Sequence, residues 1–365
     1  MKHFLHRLPL LVPGVVALLA GLAAGVERLG WQLGQQVWWG TLHGLLMVPG
    51  FFGTLISLER AVALDRREGY VVPAAFGGGA LLILMGSTWA GPLLLILASL
   101  GLVGMLNVAW RRQRHLSLQV MAAGALALLV GTVAWAAGQP ASLVTPWWMA
   151  FLVLTIAGER LELSRILLHD AQVARRFLGI VGLLGLGLGL TFVQGTLAWR
   201  LTGAALLLLM LWLLRYDIAR YTVRQRGLTR FIAWCLLSGY GWLGVGGFIM
   251  LVYGQLMAGP WYDAALHSIF VGFVFSMVFG HAPIIFPAVL GVPVAYRSFF
   301  YGHLVLLHGG LLMRVIGDVT EMLVWRRWGG LVNALAILVF LMVTLGTTWA
   351  AHRRTRTQTH RDRYA

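Results

Sequence analysis

Residues 262–280 read YDAALHSIFVGFVFSMVFG. From Ala264 onward this run holds no Asp, Glu, Lys or Arg, and the apolar character continues to Pro287. About 20 such residues, rising roughly 1.5 Å each as a helix, cross a hydrocarbon core of ~30 Å. A water-soluble domain would break the run with charge; a membrane span does not. His267 stands inside the span near one end, where an imidazole is costly unless it has a partner.

The whole chain has the same character. Of its 365 residues 59% are hydrophobic and only 11% charged, with a mean hydropathy of +0.81, too few polar groups to cover a soluble surface. Apolar stretches at 8–26, 36–58, 71–90, 92–110, 116–138, 147–168, 177–195, 197–215, 231–254, 263–287, 298–317 and 328–350 predict an all-α polytopic bundle of twelve spans. No polar block of domain size interrupts them, so residues 1–365 read as one membrane domain with a short basic tail at 351–365. Span 1 follows a short basic segment but lacks a small-residue cleavage site before Glu27 and Arg28, and is expected to be retained.

A net charge of +16 suggests nucleic acid, yet its distribution argues for topology. With a cytoplasmic N-terminus, 23 of the 28 basic residues fall on the inside, and Arg28, Arg200, Arg314, Arg326 and Arg327 remain elsewhere. That asymmetry places both termini in the cytoplasm of a cell-membrane protein whose surroundings are lipid. Cys235 is the sole cysteine, which excludes an internal disulfide, an iron–sulfur cluster and a Cys-rich zinc site. Spans 2 and 6 end alike, in Ser57-Leu58-Glu59-Arg60 and Gly158-Glu159-Arg160-Leu161-Glu162, read as solvated or locally paired charges. Gly239, Gly241, Gly244, Gly246 and Gly247 in span 9 permit close helix approach and equally a flat macrocycle against the backbone.

Five histidines fall inside spans: His43, His267, His281, His303 and His308. His43 lies seven residues past Gln36 and His267 four past Asp263, at depths of roughly 10 and 6 Å in helices that both run inward. Two neutral imidazoles at matched depth suit one iron; the alternative is that each hydrogen-bonds a neighbouring carbonyl or hydroxyl. His281, 14 residues beyond His267, lies about 40° from the same face and about 21 Å deeper, a spacing that stacks two metal sites. His303 and His308 are about 140° apart on span 11, so one of them could join His281 in an inner centre while the other faces elsewhere. Pro283 and Pro287 are expected to bend or end span 10 just beyond His281. Arg314 and Asp318 can pair across one turn, or Arg314 can reach the outer cofactor.

The motif TLHGLLM at 41–47 resembles the second helix of haem-copper oxidase subunit I, and 262–280 is similar to its tenth. VWRRWGG at 324–330 falls where that family carries an arginine pair for haem propionates. The resemblance implies His43 and His267 as axial ligands of haem b and Arg326 and Arg327 as propionate partners, with Arg314 a further candidate. Guanidinium forks match carboxylates bidentately, which gives the arginine role an independent basis; interface anchoring beside Trp325 and Trp328 is the alternative. The chain departs from the oxidase pattern at Ala265, where a second histidine is expected, and in spans 6 and 7, which hold no histidine. Conventional dioxygen reduction is therefore not expected. The chain also resembles the NnrS family of haem and copper membrane proteins, through the histidine early in span 2, LHSIFVG at 266–272 and Gly280-His281. These resemblances imply a bis-histidine haem protein of electron transfer or of nitric oxide response and detoxification, an oxidoreductase if catalytic, with a quinol or cytochrome partner. Copper or a second haem would occupy the inner centre. A haem or copper transporter or assembly factor is the rival class, and a purely structural membrane subunit a third.

Overall fold

The structure is a computed structural model that describes residues 2–34, 37–164, 171–291, 294 and 296–361, apart from the side chains of 2–6, 37–39, 290 and 348–361. Among the described residues there is no strand; helices account for nearly all of them. Among the described residues, twelve helices follow the twelve apolar stretches: α1 (Lys2–Arg28), α2 (Gly40–Leu64), α3 (Val71–Leu84), α4 (Ala90–Arg112), α5 (Leu116–Ala136), α6 (Ala141–Leu163), α7 (Ala171–Gly189), α8 (Gly195–Tyr216), α9 (Gly227–Tyr253), α10 (Pro260–Val289), α11 (Phe300–Val319) and α12 (Leu323–Arg361). Eleven of them are long and apolar enough to cross a membrane. The chain is a polytopic helical membrane protein.

The exception is α3, whose 14 residues rise about 21 Å, well short of a hydrocarbon core. The apolar stretch 71–90 contains a turn at Gly86, whose φ of +89° a glycine adopts without strain. One turn of 3₁₀ helix, Arg67–Tyr70, extends α3 at its other end. It nonetheless runs antiparallel to α4. Ile83 meets Gly91 and Val72 meets Gly101, so the two helices pass in opposite directions.

Most sequence neighbours pack against one another, and α1 also touches α10 and α12, bringing the first and last helices together. The centre is formed by α2, α6 and α10, with 72, 78 and 67% of their apolar windows buried, against 28% for the peripheral α7. Serines and threonines on these helices, such as Thr54, Ser57, Thr155 and Ser276, donate to the carbonyl four residues back, which satisfies their hydroxyls without water. The glycines of α9 are packing points. A Cβ on Gly247 would lie 2.9 Å from the Gly203 carbonyl of α8, and one on Gly246 2.8 Å from the Ala265 carbonyl of α10, whereas Gly241 faces open space. They seat α9 against its neighbours, as small residues do in membranes.

Of the two outcomes expected for Pro283 and Pro287, a bend or an end of the tenth helix, the end does not occur. Its last α-helical segment runs Ser276–Leu290 through both prolines. Each removes one backbone donor, a loss that a packed membrane helix tolerates.

Candidate functional site

The site lies between the two central helices that carry a histidine near one end. In α2, His43 opens a short α-turn (His43–Leu45) and is followed by a π-helical segment, Leu46–Gly53. In α10, His267 closes the α-turn segment Pro260–His267 and is followed by a second π-helical segment, Ser268–Phe275. Wide turns of this kind re-aim side chains and concentrate at functional sites. Here each sits directly beyond an imidazole. The two rings face one another with centroids 6.2 Å apart and planes 22° from parallel.

Each ring is oriented through Nδ1. His43 Nδ1 hydrogen-bonds the Gly21 carbonyl of α1 at 2.8 Å, and His267 Nδ1 the Asp263 carbonyl at 2.9 Å, with an Asp263 carboxylate oxygen at 3.2 Å. A backbone carbonyl accepts, so Nδ1 carries the proton in both rings and Nε2 is left as the basic nitrogen. The close fit of α1 depends on Gly25, where a Cβ would come within 2.8 Å of His43 Cε1.

Both histidines line one cavity of about 450 Å³, within the range of small-molecule and cofactor sites, roughly 300–1,000 Å³. Its deeper wall is apolar, with Phe52, Phe275 and Trp148. Towards the mouth are Arg28, Arg314 and Arg326. Arg314 is engaged by Asp263 in a two-pronged pair, Nε to Oδ2 at 2.7 Å and Nη2 to Oδ1 at 2.8 Å. Arg326 stands 3.0 Å from Asp318 and 3.7 Å from Asp263, without hydrogen-bond alignment at its buried Nε. Arg327 turns away, donating to the Gly30 carbonyl at 2.8 Å and lying over the Trp31 ring.

His43, His267, Arg314 and Arg326 come together, and Arg327 does not join them because its fork is taken by the end of α1. Arg314 pairs with Asp263 on α10 and not with Asp318 on its own helix. A flat guanidinium is held better by a carboxylate facing it across a helix interface than by one a turn away. Sequence reasoning missed Arg28, Asp263 as a clamp, and the Tyr262–Thr145 hydrogen bond, 3.0 Å, in the cavity wall. The signal for Arg28 was present, since it is one of the five basic residues that break the positive-inside pattern.

The three inner histidines have different surroundings. His308 is used at both nitrogens by α9: Trp242 Nε1 donates to its Nδ1 at 3.0 Å, and Nε2 meets Ser238 Oγ at 2.8 Å. His303, 1% exposed, is boxed by Phe231, Phe279, Phe300 and Phe340. Neither of its nitrogens has a hydrogen-bond partner. His281 bonds the Met277 carbonyl through Nδ1 at 2.7 Å and lies within electrostatic range of Arg160, Glu59 and Asp217. Among the described residues no group of three or more His, Cys, Asp or Glu is arranged to hold a metal ion.

The charges at the ends of α2 and α6 are neither solvated nor paired only locally. Arg60 bridges Glu59 at 2.8 Å and Glu159 of α6 at 2.7 Å. Arg160 makes a buried two-pronged pair with Asp217, beyond α8, at 2.7 and 3.0 Å. These ion pairs tie three helices at the end of the bundle opposite the histidine pair. Arg165 and His169, assigned from sequence to a cytoplasmic loop, lie outside the described residues.

A family described as a domain of unknown function, DUF8744, matches residues 7–349. The chain belongs to that family. No curated protein and no solved structure matches it.

Proposed function

We propose that this DUF8744 protein holds one haem b between His43 and His267 and transfers electrons in the membrane. The facing imidazoles carry the reading. Two rings that share a metal through nitrogens about 2 Å away place their centres roughly 6 Å apart, and these stand at 6.2 Å with nearly parallel planes. The Nδ1 anchors on backbone carbonyls fix the tautomer that presents Nε2, as is usual for ligating histidines. Arg326, buried at Nε and unaligned with any acceptor, matches a propionate carboxylate, and Arg28 reaches the same cavity.

The group would supply one-electron chemistry; the chain supplies position and charge. Gly25 leaves room for the His43 ring, Asp263 orients His267, and the phenylalanines and Trp148 keep water from the deeper wall. With both histidines engaged no open position is left, so electron transfer is favoured over turnover of nitric oxide, which needs one imidazole to leave. A quinol or a cytochrome is the matching partner class. By the distribution of arginines the histidine end faces away from the cytoplasm.

Oxidised and reduced absorption spectra of the purified full chain, produced with haem supply, test the reading. The expected result is stoichiometric six-coordinate low-spin haem b that is lost or becomes high-spin in His43→Ala and in His267→Ala. An unchanged low-spin spectrum in both variants overturns it. Metal-dependent transport by a chain that retains no haem would support the rival class, a haem or copper carrier using the same histidines transiently.

A further inference from the structure

A second cavity, of about 500 Å³, lies on the outer surface of the bundle between α7 and α8, far from the histidine pair. Its walls are apolar and shallow. Ile180, Leu208 and Leu211 line it, the last two 44 and 56% exposed, and Gly179 faces open space, with nothing within 4 Å of where a Cβ would stand. Its head is basic: Arg176 near the start of α7 and Arg215 near the end of α8 are both exposed. Tyr216 aligns them, accepting a hydrogen bond from Arg176 Nη1 at 3.2 Å while its ring faces the Arg215 guanidinium at 5.4 Å.

The charge at this end is one-sided. Residues 171–230 hold eight arginines, all but Arg200 at this end, and a single acid, Asp217. Asp217 is buried and already engaged by Arg160. Two guanidiniums are therefore presented at the end of a lipid-exposed apolar groove. An isolated anion would find the arginines but leave the groove unused, and a neutral lipid the reverse.

We propose that this groove binds an anionic phospholipid, its phosphate between Arg176 and Arg215 and an acyl chain along Gly179, Leu208 and Leu211. Basic pockets between membrane helices select anionic headgroups. The proposal does not depend on haem.

Native mass spectrometry of the detergent-solubilised full chain, titrated with phosphatidylglycerol and with phosphatidylcholine of the same acyl chains, tests it. The expected result is one phosphatidylglycerol retained roughly tenfold more tightly than phosphatidylcholine. Arg176→Gln/Arg215→Gln should erase the preference, whereas Arg200→Gln, at the other end of α8, should keep it. If the double variant does not fold, Tyr216→Phe should reduce the preference in its place. Equal retention of the two lipids, a preference unchanged by the variants, displacement by inorganic phosphate alone, or a dimer that closes the groove to lipid would overturn the proposal.

Discussion

An imidazole has two nitrogens, and the chemistry of the site rests on how they are divided. In His43 and His267 Nδ1 goes to a backbone carbonyl and Nε2 borders the cavity; in His308 both nitrogens are spent on α9. Asp263 acts on His267 as a carboxylate partner, partly neutralised by Arg314. With haem bound, Asp263→Asn removes a negative charge and leaves Arg314 uncompensated. Both changes favour the less positive, reduced iron, so the midpoint potential should rise. Arg314→Gln leaves Asp263 uncompensated, and the potential should fall. Redox titration of the two variants checks the signs; shifts in the same direction would exclude a shared electrostatic role. Gly25→Ala should lower haem affinity by about 10- to 100-fold, as loss of a ligand's support commonly does, while circular dichroism shows the helices intact.

At the scale of the element, α2 and α10 share one device, an imidazole followed by an eight-residue π-helical segment. The segments meet at Phe51 and Phe275, whose rings stack at 6.4 Å beneath the site. The other end of the bundle is held differently, by ion pairs buried between α2, α6 and the end of α8. Arg160 and Asp217 are 3 and 1% exposed, so Arg160→Met should cost about 3–5 kcal/mol by stranding a buried carboxylate. Arg160→Met/Asp217→Leu should recover most of that loss, less the hydrogen bond that Asp217 accepts from the Ala219 backbone N–H. Unfolding of the three variants in detergent checks the ordering. A double variant no more stable than Arg160→Met would mean that the pair is not coupled.

For the whole molecule the decisive helix is the shortest. If α3 crosses, twelve passages return the chain to the side from which it started; if it does not, the ends lie on opposite sides. Its antiparallel course against α4 supports crossing. In a Cys235→Ser background, single cysteines at Arg66 and Arg224 should react with an impermeant maleimide from the same side of the membrane, and cysteines at Ser87 and Glu321 from the other. Labelling of Arg66→Cys and Arg224→Cys from opposite sides would exclude the passage of α3.

Hydropathy alone determines that the chain spans the membrane many times as helices, because in hydrocarbon every backbone donor and acceptor must be satisfied within its own segment. Helical rise from the start of each span was enough to bring His43 and His267 to one level, and three of the five arginines that break the charge pattern, Arg28, Arg314 and Arg326, line the cavity. Sequence could not say which way a fork turns. Arg326 and Arg327 are adjacent, yet one faces the cavity and the other the end of α1, a choice made by the neighbouring helices. Nor could it separate His303 from His308, since His308 is bonded by Trp242 and Ser238 of α9 whereas His303 is enclosed by phenylalanines that include Phe231, Phe279 and Phe340. The pairing of Arg314 with Asp263 and of Arg160 with Asp217 likewise depends on which helices touch. Span, depth and charge asymmetry are properties of a segment and are written in it; the direction of a polar side chain in a dry interior is set by where the nearest partner lies, and that is decided by packing.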